Sequence, residues 1–113
     1  MPEPLPEIAF DVFEQVEMTV VKVLACEPVK KSEKLLKFQL DDGTGAPRQI
    51  LSGIAKYYRP EELIGKQVLA VVNFPPRQIA DFMSEVLVLG TYSEGGVVLI
   101  TPDKKVQNGD KLG

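Results

Sequence analysis

Five basic side chains, Lys34, Lys37, Arg48, Lys56 and Arg77, and three small polar ones, Ser52, Asn73 and Ser84, share one stretch of this 113-residue chain. Lysine and arginine on a strand exterior hold phosphate oxygens, lysine as a point charge and arginine as a planar fork. Hydroxyl and amide groups beside them suit a 2′-hydroxyl or a base edge. Each also has an ordinary use: a lysine solvates a strand, an asparagine closes one, a serine caps a turn. Tyr57, Tyr58, Phe74, Phe82 and Met83 add apolar surface to the same stretch. Aromatic rings stack on bases for roughly 1–3 kcal/mol each, and they pack into cores just as readily. Phe82 and Met83 make a soft surface that fits a peptide as well as an RNA. Tyr57 and Tyr58 are adjacent in a helical segment, so they point in different directions and one should be partly exposed.

Other chemistries are excluded by what the chain lacks. It has no histidine, the commonest general base near neutral pH, and Cys26 is its single cysteine. That rules out an internal disulfide and a structural zinc site needing two cysteines. There is no GxxxxGK[ST] phosphate loop. The expectation is a binding protein, not an enzyme, with no metal and no cofactor. Apolar runs are short and the first ten residues carry Glu3, Glu7 and three prolines. Neither a membrane span nor a secretory signal is expected, and the chain reads as cytoplasmic. The net charge of −3 is unevenly spread: residues 18–77 hold ten Lys or Arg against six Asp or Glu, whereas 1–17 hold five acids and no base. The middle of an acidic chain can thus build a positive face.

These residues must be positioned by the following elements. Ile8, Val12 and Val16 recur at helical spacing, which predicts a short helix over 9–16. The run from Met18 to Val29 is β-branched on both faces and ends in a turn near Pro28, as a central strand would. From Lys34 to Leu40, Leu36, Phe38 and Leu40 alternate with Leu35, Lys37 and Gln39, giving a second strand with one core face. A turn at 41–45 leads to a third strand, Arg48 to Ser52. A helical connection follows over 53–64, with Pro60 at a helix start and Gly65 after its end. Strands at 67–73 and 84–90 and an apolar run at 97–100 complete the pattern, and Pro75-Pro76 end the first of these. A mainly all-β, five-stranded Greek-key OB barrel fits this order best. It would carry a short N-terminal helix, a helix between strands three and four, and a C-terminal β extension. A small SH3-type barrel is the alternative on pattern alone.

The blocks KLL at 34–36, SGIAKYY at 52–58, PEELIGK at 60–66 and VVNF at 71–74 decide between them. With them the chain resembles the tRNA-binding domain family from about Phe10 to Gly113. That family includes the C-terminal domain of methionyl-tRNA synthetases and free-standing structure-specific tRNA-binding proteins. The blocks NFPPRQIA at 73–80, SEVLVLG at 84–90 and VVLITPD at 97–103 resemble its CsaA-like, export-related chaperone branch. The resemblance implies an OB barrel, a homodimer and tRNA as partner, recognised mainly by shape and backbone. Residues 1–7 are then a tail, and 8–113 the tRNA-binding domain with extensions that serve dimerisation. The CsaA-like branch implies the alternative of a chaperone for unfolded or preprotein segments. Synthetase-type domains carry more lysine and arginine over 73–84; here Pro75, Gln78, Ala80 and Asp81 stand there, and Arg77 alone keeps a basic group.

Overall fold

The computed structural model describes residues 3–113, so Met1 and Pro2 of the expected tail lie outside it. Its elements in order are α1 (Phe10–Glu14), β1 (Met18–Val29), β2 (Ser32–Asp41), β3 (Arg48–Ser52), α2 (Pro60–Leu63) and β4 (Gln67–Val71). Then come β5 (Arg77–Ile79), β6 (Phe82–Ser84), β7 (Leu87–Val88), β8 (Gly90–Ser93) and β9 (Gly96–Leu99). The long strand β1 serves two neighbours. Its first half pairs antiparallel with β4 and its second half with β2. The resulting sheet runs β3-β2-β1-β4-β7 and curls into a nearly closed OB-type barrel.

The alternation read for β2 is obeyed: Leu36, Phe38 and Leu40 are buried in the core. They meet Val21 and Val23 of β1, Ile50 of β3, and Val68 and Ala70 of β4. Leu63, fully buried, plugs the barrel from α2. That helix is a single turn starting at Pro60, with the Glu62 carboxylate accepting the Arg59 backbone N–H at 3.3 Å. Residues 53–59 before it form turns, a shorter helical connection than the spacing suggests.

Two further elements differ from their expected extents. Helix α1 covers five residues and buries none of them, because among the described residues little packs over its apolar side chains. The strand expected over 84–90 is split among three partners. Phe82–Ser84 pairs with β5, Leu87–Val88 with β4, and Gly90–Ser93 with β9. One short segment has to leave a hairpin, complete the barrel and enter a second hairpin, so it cannot stay straight.

The polar tail from Lys104 to Gly113 is an ordered strap. Gly109 N–H donates to the Val20 carbonyl at 2.7 Å, and Leu112 N–H to that of Met18 at 2.9 Å. The strap also abuts the turn after β2 so closely that a Cβ on Gly43 would strike the Asn108 carbonyl. Gly43 and Gly45 share a left-handed φ, +87° and +86°, but Gly45 has open space around its Cβ position. Alanine at Gly45 should therefore cost only the left-handed penalty of roughly 1–2 kcal/mol. Alanine at Gly43 must also displace the strap and should cost at least about 1 kcal/mol more. Urea unfolding of the two variants measures that difference, and equal losses would mean the strap yields freely.

Candidate functional site

The β5–β6 hairpin sits against the open edge of β3 and organises the surface around it. Pro75 and Pro76 lie in the link between β4, which already ends at Val71, and β5, and the hairpin turns at Ala80, a non-glycine residue at φ +55°. Its register sets Arg77 opposite Ser84 and Ile79 opposite Phe82. Three bonds fasten it to β3. The Leu51 N–H donates to Ser84 Oγ at 3.1 Å, the Glu85 N–H to the Gln49 carbonyl at 2.8 Å, and Gln49 Nε2 to the Met83 carbonyl at 3.2 Å.

A groove lies on each side of this hairpin. The first, of about 270 Å³, brings together Ser52, Phe74, Arg77 and Ser84, four of the residues singled out in the sequence. The second, of about 280 Å³, joins Lys37 and Phe82 with Lys30 and Lys31. Those last two lysines were missed, because the β1–β2 turn that carries them is distant in sequence from the hairpin. Met83 projects from the hairpin half exposed.

Charge in the second groove is partly answered from within. Lys37 Nζ is 2.9 Å from Glu27, its cross-strand partner, and 4.7 Å from the centre of the Phe82 ring. Lys31 pairs with Asp81 at 3.3 Å, tying the β1–β2 turn to the hairpin tip. Arg77 is exposed and, among the described residues, has no carboxylate within 4.0 Å.

The remaining residues singled out in the sequence lie elsewhere. Arg48 turns inward: NH1 reaches Asp42 at 3.0 Å, Nε reaches Glu85 at 3.0 Å, and NH2 donates to the Val72 carbonyl at 3.2 Å. Burial pushes the Asp42 carboxyl up, but hydrogen bonds from the Thr44 side chain and backbone and from Arg48 outweigh it. The group ends below the usual aspartate range. The Asn73 amide clamps the link from α1 to β1, accepting the Glu17 N–H at 2.9 Å and donating to the Gln15 carbonyl at 2.7 Å. Lys34 and Lys56 lie on a neighbouring surface, where the Ala55 N–H donates to the Lys34 carbonyl. Of the two tyrosines, Tyr57 is 40% exposed, while Tyr58 packs on the core and accepts the Leu99 N–H. Cys26 is buried, and burial followed by the charges of Glu27 and Glu61 pushes its thiol up to about 11.

Residues 18–111 match the model of the family described as "Putative tRNA binding domain". The methionine–tRNA ligase of Campylobacter jejuni is 45% identical over 111 residues, 98% of this chain and 18% of that protein. The chain thus spans about a fifth of the length of the curated relatives it matches. The chaperone CsaA of Bacillus anthracis superimposes with a TM-score of 0.85 at 37% identity, covering 96% of this chain and all of that one. A methionyl-tRNA-synthetase-related protein of Pyrococcus horikoshii gives 0.88 at 32% identity, over 96% of this chain and all of its own.

The inward set of Arg48 makes it a stability residue. Arg48→Ala strands Asp42 and Glu85 without their cation and should cost about 2–4 kcal/mol in urea unfolding at neutral pH. Asp42 titrates low in the fold, so its contribution is full above the ordinary aspartate value of about 3.9 and is lost as pH falls below it. The drop in stability from pH 6 to pH 3 should therefore be smaller in Arg48→Ala than in the parent. An equal drop would place the acid sensitivity elsewhere.

Proposed function

This chain belongs to the tRNA-binding domain family, and from that premise we propose that it binds tRNA without catalytic turnover, as a cytoplasmic homodimer. The observation that carries this reading is the first hairpin groove, which Ser52, Arg77 and the Phe74 ring line together, with the buried Ser84 hydroxyl already accepting the Leu51 N–H. A cation, a hydroxyl and an aromatic face are what a sugar-phosphate backbone with an unstacked base requires. Both hairpin grooves are open to solvent, and neither encloses a base on its hydrogen-bonding edges. Recognition therefore rests on backbone and shape. Lys37 and Arg77 supply phosphate contacts, with Lys34 and Lys56 beside them. Arg48 and Asn73 serve by holding the scaffold.

Dimerisation is supported by apolar surface that one copy leaves bare. Phe10 is 70% exposed and Tyr92 94%, and Ile8, Val12, Leu87 and Val98 are also exposed. Burying such side chains contributes about 25 cal/mol per Å² of apolar area, and a second copy is the covering that the family resemblance supplies. A chaperone role is the second reading, favoured by Phe74, Phe82 and Met83 around the hairpin and by the likeness to CsaA. In that reading the same grooves take unfolded or preprotein segments.

Binding of tRNA should weaken with salt, with a slope of about two to four counterions per site. Lys37→Ala and Arg77→Ala should each lower the slope by about one unit and affect different tRNAs alike. Glu27→Gln frees the Lys37 charge and should raise affinity. Filter binding across a salt series checks all three, and an affinity indifferent to salt and to these changes would sink the electrostatic reading. An unfolded peptide that displaces tRNA, and whose binding survives both alanine variants, would favour the chaperone. Sedimentation equilibrium at micromolar concentration should return about twice the mass of 12.5 kDa, and Phe10→Glu should shift it toward the monomer.

A further inference from the structure

Away from the hairpin, the C-terminal strap lies across the start of β4 and encloses a groove of about 790 Å³, nearly three times the volume of either hairpin groove. Its walls carry Lys22 of β1, Lys66 just before β4, and Lys104 and Lys105 of the strap, against a single acid, Asp103. Among the described residues none of the four lysines has a carboxylate within 4.0 Å. This groove shares no lining residue with the other two.

The walls are held in place by the fold. The Gln67 side chain acts as a stretch of backbone toward the strap: Nε2 donates to the Val106 carbonyl at 2.6 Å and Oε1 accepts the Val106 N–H at 3.1 Å. The same Nε2 donates to Asn108 Oδ1 at 2.9 Å, and Asn108 donates to Asp41 at 3.1 Å. These bonds fix the strap that bears Lys104 and Lys105 opposite Lys22 and Lys66. Four ammonium groups around one opening repel each other. Asp103 in the groove and Asp41, the cross-strand partner of Lys22, lie nearby, but they are fewer than the four ammonium groups and neither forms a direct ion pair with them. A polyanion laid along the groove neutralises them, releasing its own counterions. The breadth of the groove and the spread of the charges suit a chain of phosphates better than one small ion.

We propose that this strap groove is a second contact for the phosphodiester backbone of the bound RNA, separate from the hairpin grooves. The proposal rests on the reading of the chain as a tRNA binder. It assigns a binding role to a C-terminal stretch whose net charge over residues 78–113 is negative, with three bases against five acids.

The test compares K104A/K105A with Lys111→Ala, which removes a charge from the same strap outside the groove. All of these lysines are exposed, and unchanged urea midpoints would verify the fold. The double variant should bind tRNA about tenfold more weakly at moderate salt, with the salt slope lower by about two units. Lys111→Ala should change affinity less than about twofold. Gln67→Ala, which unpins the strap with every lysine present, should also weaken binding. If Arg77→Ala weakens tRNA binding while K104A/K105A leaves affinity and slope untouched, the strap groove is overturned and the hairpin reading stands. Equal losses in Lys111→Ala and the double variant would reduce the effect to net charge and overturn it too. A parent chain that holds no tRNA overturns both.

Discussion

A five-stranded barrel closes only if the edge of β3 finds a partner, and here that partner is hardly a strand. Ser84 and Glu85 meet β3 through one hydroxyl and one backbone amide, not through a continuous ladder. The Arg48 guanidinium compensates at this seam. Its planar fork meets Asp42 from the turn after β2, Glu85 from the closing segment and the Val72 carbonyl at the end of β4. No lysine could span three acceptors in those directions. Asp42, buried by the same turn, tolerates its loss of water because Thr44 and Arg48 hydrogen-bond it. The seam sets the hairpin, and the hairpin sets both grooves beside it.

That dependence explains why the surface around the hairpin, the proposed binding surface, is modest in charge yet well defined in shape. Lys37 and Lys31 each have a carboxylate partner before any ligand arrives. A phosphate must displace or share those partners, so the net gain per contact is smaller than for a bare lysine. Arg77 and the strap lysines carry no such burden. An acidic chain can therefore present localised positive ground, because the five acids of residues 1–17 precede the barrel and line neither hairpin groove.

Local patterns were legible in the sequence where one neighbour decides the outcome. The bounds of β1 and β3 coincide with those read from β-branched runs and turns, and the inward set of Leu36, Phe38 and Leu40 follows from alternation alone. Where several partners compete, pattern fails. The stretch 84–90 reads as one strand because its apolar content is nearly continuous, but three neighbours divide it and the residues around it. The hairpin turn at Ala80 has no glycine to announce it. The grooves were half visible: residue type named Arg77, Ser52, Ser84 and Phe74, and the fold gathered them. Residue type could not tell the exposed Arg77 from the inward Arg48, or a free amide from the engaged one of Asn73, because the partners of Arg48 and Asn73 lie mostly tens of positions away. The lysines of the strap groove were hidden for the same reason, being contributed from positions 22, 66, 104 and 105.

The groups whose titration the fold shifts bear on what chemistry is available near neutral pH. Cys26 is driven up to about 11 by burial and by nearby carboxylates, so it stays a neutral thiol. Asp42 is driven down, so it stays an anion locked to Arg48. Glu62 and Arg59 each stabilise the charged form of the other. All of these displacements favour the form that each group already holds near neutral pH. The fold spends its electrostatics on fixing charges in position. On the proposed reading, fixed charges along the open grooves hold a polyanion by its backbone, and shape becomes the selective property because an RNA whose phosphates follow the spacing of the hairpin and strap grooves meets both at once.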